Sequence, residues 1–407
     1  MERFTGLLGF FVILAIAWAL SSDRKRIHWR VVVLGTGVQL LFAVLILKTA
    51  GGQAVFDAIG RTVTAFLDLT DEGSAFIFGD DFRDHFFAFK VLPTIIFFSS
   101  FITVLYYLGI MQWIVRGFAW FMMKVLRTSG AESLSASANI FVGQTEAPLL
   151  IRPYVSSMTQ SELMAVMTGG FATIAGGVLV AYVGILRESF PDIAGHLLAA
   201  SVMSAPAALV MAKLMVPETE TSRTAGKVSI EAEKPWVNVI DAAAEGAAQG
   251  LKLALSVGAM LLAFIGLVAV INAGLSWIGG LVGFAELSLE TILGTALRPL
   301  AWVMGVPWAE SAQVGALLGL KTATNEFYAY TRLAEIMAES PLSERAMVIT
   351  TYALCGFANF ASIAIQIAGI GGIAPERKSD LARLGMRAMI AGTLACFQTA
   401  TIAGLLI

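Results

Sequence analysis

An all-α polytopic membrane protein is predicted, with eight transmembrane helices, two re-entrant helical hairpins and an inverted repeat. Of the 407 residues, 57% are hydrophobic and 14% charged, and the mean hydropathy is +0.78. That is more apolar side chain than a soluble core buries. Crossing the hydrocarbon core takes about 20 mostly apolar residues, and such runs occur near 4–22, 31–50, 87–110, 161–185, 194–216, 252–279, 346–370 and 383–406. Two further apolar stretches, near 134–155 and 310–331, are too polar and interrupted to cross alone. They fit hairpins that enter and return, tolerable at membrane depth where protein or a watery cavity satisfies the backbone.

In chain order, Phe4 to Leu20 has the length of a signal peptide, but its basic residues Arg24, Lys25, Arg26 and Arg30 follow the apolar run. A secretory signal carries them in front, so this segment is expected to be a retained first helix. Stretch 53–69, with Asp57, Arg61 and Asp68 among apolar residues, is expected to lie as an amphipathic helix at the interface. Lys and Arg collect at Arg24–Arg30, at Arg116, Lys124 and Arg127, and at Arg377, Lys378, Arg383 and Arg387, whereas acidic residues gather between the second and third crossings. By the positive-inside rule the basic connections are cytoplasmic and both termini lie outside. Residues 217–240, polar and of mixed charge, are the expected cytoplasmic linker between two halves. Three crossings then separate the hairpins, so they enter from opposite faces.

The two interrupted stretches resemble one another. The first reads Asn139-Ile140-Phe141-Val142-Gly143-Gln144-Thr145-Glu146-Ala147-Pro148, the second Lys321-Thr322-Ala323-Thr324-Asn325-Glu326-Phe327-Tyr328, and each has an Arg six residues past its Glu, at Arg152 and Arg332. Downstream, Gly170-Phe171-Ala172-Thr173-Ile174-Ala175 and Gly356-Phe357-Ala358-Asn359-Phe360-Ala361 share Gly-Phe-Ala-x-x-Ala. Repeats of interrupted apolar segments are the sequence mark of a secondary transporter's binding site.

An ionised side chain at the bilayer centre costs about 2.5–3.5 kcal/mol on insertion scales, so Glu146 and Glu326 are expected to face a cavity, the alternative being that each pairs with a buried Arg or caps a half-helix. An ionised carboxylate only accepts, which suits a ligand presenting hydroxyls or N–H groups. Gln144, Thr145 and Asn359 add donors and acceptors that can read a heterocycle edge or a sugar. Phe357 either stacks on a flat ligand or packs the helix. The glycines around Thr173, Gly169, Gly170, Gly176 and Gly177, mark either an unwound helix or close packing; the repeat at Asn359 favours unwinding. Freed carbonyls with an Asn amide and a Thr hydroxyl make a hard-oxygen environment that coordinates sodium.

Other classes find no support. A net charge of −2 and the lack of a basic, aromatic-interleaved patch exclude nucleic acid as a partner. His28, His85 and His196 are scattered, so no metal cluster or nucleophile–base pair assembles and an enzyme is not expected. No phosphate-cradling Gly-Lys-Ser/Thr loop exists for ATP. Cys355 and Cys396 are read as buried small hydrophobes or a structural disulfide.

Gly143 to Tyr154, Asn325-Glu326-Phe327 and Cys355-Gly356-Phe357-Ala358-Asn359-Phe360-Ala361-Ser362-Ile363 closely resemble the characteristic stretches of the bacterial branch of concentrative nucleoside transporters. The resemblance runs over nearly the whole chain. It implies a homotrimer in the bacterial inner membrane, with scaffold and transport domains and an elevator-like motion. The expected divisions are 1–130 (N-terminal helices and scaffold), 131–216 (first hairpin and transport half), 217–305 (linker and scaffold helix) and 306–407 (second hairpin and transport half). It also implies site roles: Gln144, Thr145 and Glu146 for the base, with Val178 as an apolar wall; Glu326, Asn359 and Ser362 for the ribose; and Phe357 nearby. Sodium would be held by Asn139 and Thr173 with the carbonyls of Val142 and Ile174. Thr173 stands where members carry Ser, which keeps the hydroxyl and adds a methyl. The implied activity is sodium-coupled uptake of nucleosides such as uridine, with no cofactor beyond the coupling ion. Proton coupling on the same fold is the alternative, followed by a passive channel or an intramembrane enzyme using the two Glu side chains.

Overall fold

The computed structural model describes residues 2–85, 87–226, 236–281, 283–284 and 286–407. Residues 227–235 of the expected linker lie outside that set. Among the described residues every regular element is helical. The first third comprises α1 (Glu2–Ala19), α2 (Trp29–Lys48), α3 (Ala50–Phe78), α4 (Leu92–Leu108) and α5 (Ile110–Leu126). Then come four short pieces, α6 (Gly130–Ala138), α7 (Arg152–Val155), α8 (Gln160–Ala172) and α9 (Gly176–Leu186), followed by the long α10 (Ile193–Met215) and α11 (Val239–Leu281). The remainder is α12 (Leu289–Val303), α13 (Ser311–Ala323), α14 (Glu326–Glu339), α15 (Glu344–Leu354), α16 (Phe360–Ile373) and α17 (Lys378–Leu406).

Among the described residues, seven helical stretches are long and apolar enough to cross a membrane, counting α8 with α9 as one. The expected crossing at 346–370 is instead two helices, α15 and α16, each short of a crossing on its own. Asn359 begins α16 as its N-cap, its side chain accepting from Ser362 N, and that backbone turn ends the continuity. The amphipathic 53–69 stretch is the middle of the 29-residue α3. Helices α5 and α12 carry charged residues (Arg116, Lys124; Glu290, Arg298) within their apolar runs. Arg116 and Lys124 lie within α5, and Lys378, Arg383 and Arg387 within α17, not in loops.

Burial separates the core from the periphery. The apolar window of α10 is 94% buried and that of α11 only 22%, so α10 is enclosed by protein while α11 offers most of its surface to the bilayer or to another chain. Helix α10 packs on α2, α8 and α17, and α15 packs on α17; on the outside α11 runs along α4.

The small pieces are fixed by local chemistry. Ser129 and Glu132 form a capping box at the start of α6, and Thr159 and Glu162 form another at the start of α8, each satisfying amides that the first turn leaves without partners. Lys213 at the end of α10 pairs with Glu132 at 2.7 Å and donates to Ser161 Oγ at 2.9 Å. Ser222 donates to Glu162, so the chain beyond α10 is knotted to both helix starts.

Candidate functional site

Both interrupted segments lie against breaks in longer helices. Helix α8 ends at Ala172, Thr173 is extended, and α9 starts after Ala175, which is also extended. Helix α15 ends at Leu354 and α16 starts after Asn359. The two breaks touch, because Phe357 N donates to Thr173 O at 3.2 Å. Close approach demands glycine here: a Cβ on Gly356 would lie 2.5 Å from Cys396 Sγ and 2.7 Å from Phe171 O. The cysteines are free and buried, and Cys396 Sγ donates toward Cys355 O at 3.2 Å and Ala172 O at 3.6 Å.

At this junction four of the expected ligand-binding residues, Gln144, Glu326, Asn359 and Ser362, form one hydrogen-bonded chain with two others. Asn359 Nδ2 donates to Glu326 Oε2 at 2.9 Å, and Tyr182 on α9 donates its hydroxyl to Glu326 Oε1 at 3.1 Å. Ser362 N donates to Asn359 Oδ1 at 2.9 Å, Gln144 Nε2 donates to Ser362 Oγ at 3.2 Å, and Gln366 Nε2 donates to Gln144 Oε1 at 3.0 Å. Glu326 is 5% exposed and has no ion pair among the described residues. Its charge is placed at the first residue of α14, beside the N-terminus of α16, where helix dipoles favour an anion. Asn325 caps α14 by accepting from Tyr328 N.

Two members of that chain were missed from sequence, Tyr182 and Gln366. Tyr182 stacks on Tyr330 with ring centroids 4.2 Å apart, and Gln366, fully buried, also donates to Met167 O at 3.1 Å. A single amide in an apolar helix and a phenol in a Val/Leu run were the available signals, since buried polar tips require partners.

The other expected residues are placed as follows. Val178 is buried on α9, Phe357 is half-buried in the break, and Thr145 packs on α16, where a Cβ at Gly369 would come within 2.8 Å of its methyl. Glu146 stands apart from the hydrogen-bonded chain. It is exposed and lines a cavity of about 500 Å³ with Tyr106, Gln112, Arg152 and Gln249.

Asn139, Val142, Thr173 and Ile174 are all buried. Asn139 Nδ2 donates to Ser135 O at 3.1 Å, which leaves Oδ1 buried and without a hydrogen-bond partner. Thr173 gives its proton to Gly169 O at 2.9 Å, so its oxygen lone pairs remain available. An orphaned carbonyl oxygen and a hydroxyl acceptor at a helix break suit a hard cation.

Interrupted segments packed on paired helix breaks, beside a buried carboxylate with no ion pair among the described residues, are the architecture of a membrane transporter. Residues 196–404 match the family described as "Na+ dependent nucleoside transporter C-terminus", residues 8–81 its N-terminus, and residues 88–189 "Nucleoside recognition". The chain belongs to the concentrative, Na+ dependent nucleoside transporter family, in its bacterial branch. An uncharacterized transporter of Haemophilus influenzae is 48% identical over 416 residues, covering 100% of this chain and 98% of that one. The YutK transporter of Bacillus subtilis, also uncharacterized, is 46% identical and covers 100% of both. "Solute carrier family 28 member 3" of Eptatretus stoutii is 47% identical over 98% of this chain, which spans 60% of that longer protein. The structure of CNTnw in an inward-facing substrate-bound state superposes with a TM-score of 0.93 at 44% identity, covering 100% of this chain and 98% of that one.

Proposed function

We propose that this chain is a sodium-coupled symporter that carries nucleosides such as uridine into the cell across the bacterial inner membrane. The observation that carries this is the hydrogen-bonded chain from Gln366 to Tyr182, because it joins both hairpins and both breaks through groups a nucleoside can engage. Gln144, Thr145 and Glu146 are assigned to the base, with Val178 as the wall. Glu326, Asn359 and Ser362 are assigned to the ribose, with Phe357 beside it. Two vicinal hydroxyls can both donate to the Glu326 carboxylate, displacing Tyr182 and Asn359 as its donors. No reaction chemistry is asked of these groups, and the named relatives are transporters.

Eight crossings, two of them broken, and two hairpins of opposite orientation complete the arrangement. Residues 131–216 and 306–407 form the moving transport half-domains, and 1–130 and 217–305 the scaffold of a homotrimer, in which the little-buried α11 supplies apolar surface. Impermeant thiol reagents test the orientation. Cysteines placed at the exposed Ser156 and Ser340 should react from opposite faces of the membrane; labelling of both from one face removes the inverted repeat.

Sodium is assigned to Asn139 and Thr173 with the carbonyls of Val142 and Ile174, since all four are neutral hard oxygens with no proton to exchange. Sodium should raise uridine affinity and uridine should raise sodium affinity by the same factor. Asn139→Ala and Thr173→Ala should each flatten the sodium dependence of binding. The second reading is proton coupling, favoured by one observation, the burial of Glu326 without an ion pair among the described residues. Uridine uptake that ignores sodium and follows an imposed pH gradient decides for it.

A further inference from the structure

Lys321 is the charged residue that the transport reading leaves without a task. It lies in the last turn of α13, is 1% exposed, and makes no ion pair among the described residues. Its Nζ donates to Ala353 O at 2.8 Å, in the last turn of α15; the Cys396 thiol is a further hydrogen-bonding neighbour, and the Glu326 carboxylate lies within electrostatic reach. An ammonium taken out of water is costly unless its surroundings need positive charge. The broken end of α15 does. The last carbonyls of a helix lack intrahelical partners and carry the negative end of its dipole.

Helix α8 ends in the same way at Ala172, and the two ends lie together: the single Cys396 thiol reaches both Ala172 O and Cys355 O. Two negative helix ends therefore face one region. The two halves of the chain treat this differently. In the first, the hairpin brings up Asn139, whose Nδ2 would be 3.1 Å from a Cβ on Gly169 and whose buried Oδ1 has no partner. A neutral acceptor beside a negative helix end calls for a mobile cation. In the second, the hairpin brings up an ammonium on its own tether.

We propose that Lys321 is a resident cation, serving the broken end of α15 as the coupling sodium serves the broken end of α8. It is a positioning residue that holds the second hairpin, and with it Glu326 five residues on, against the break. With that place taken, the chain binds one sodium per nucleoside. The inference rests on the sodium-coupled reading, and the test separates the two.

Uridine affinity of the purified protein is measured by calorimetry against NaCl concentration, with choline chloride holding ionic strength constant and sodium kept well below saturation. The expected log–log slope is one. A slope of two overturns the resident-cation proposal and leaves sodium coupling standing; a slope of zero overturns both. In Lys321→Met, which keeps the bulk and removes the charge, uridine affinity should fall about tenfold or more at fixed low sodium. The slope should rise toward two as a second free cation is recruited, and NaCl should raise the variant's melting temperature more than choline chloride does. Wild-type affinity with a slope of one in the variant overturns the proposal. If Lys321→Met does not fold, the wild-type slope decides between one and two.

Discussion

Glu326→Gln is expected to lower uridine uptake by about a hundredfold or more while the protein still folds and assembles. The carboxylate receives Tyr182 on one oxygen and Asn359 on the other. An amide keeps a single acceptor and turns an N–H₂ toward one of those donors, so the site loses a lone-pair set and gains a clash of donors. Sites built around hydrogen bonds to a substrate hydroxyl discriminate by factors of about 10⁴ when the match is broken. The loss should be smaller for deoxyribonucleosides, which offer one hydroxyl fewer, and near-normal uridine affinity in the variant would remove Glu326 from the ribose assignment. Burial of an ionised carboxylate carries a desolvation cost that an amide avoids, which offsets the lost acceptor, so the variant should melt close to the parent. That second readout separates loss of recognition from loss of fold.

Gly356→Ala is expected to destabilise the protein by about 2–3 kcal/mol, in the range of overpacked cores, and to abolish uptake. The added methyl would meet Phe171 O at 2.7 Å and Ala172 C at 3.1 Å, both backbone atoms, besides Cys396 Sγ. Backbone cannot rotate aside as a side chain can. The only relief is to part the two breaks, which would lose the bond from Phe357 N to Thr173 O. Gly274→Ala on α11, where nothing lies within 4 Å of the added methyl, is the matched control. Thermal melts of the two variants should differ clearly; equal melting temperatures would show that the breaks are not packed as described.

Much of this arrangement was legible in the chain itself. Composition and run length identify membrane helices because lipid permits few alternatives, and the doubled Glu and Gly-Phe-Ala-x-x-Ala patterns marked the segments that meet at the junction. What hydropathy could not register was continuity. The run 346–370 is mostly apolar, yet it is two helices, because a break costs little in hydropathy and is decided by Asn359 as a cap and by Gly356 against Phe171. Nor could spacing distinguish the two glutamates. Glu146 and Glu326 occupy matching places in the pattern, but one lines an open cavity and the other is sealed under Tyr182 and Asn359. Tyr182 and Gln366 stayed hidden for a related reason: each is one polar residue in an apolar helix, and the partners that give it meaning, Glu326 and Gln144, lie 144 and 222 residues away in sequence.

The chain of bonds from Gln366 to Tyr182 crosses between the two halves three times. Gln144 and Tyr182 belong to the first half, while Glu326, Asn359, Ser362 and Gln366 belong to the second. Under the proposed assignment neither half holds a complete recognition surface. The halves would then be locked partners: a drift in one is tested at once against the other, and a change of diet would have to be written in both at once.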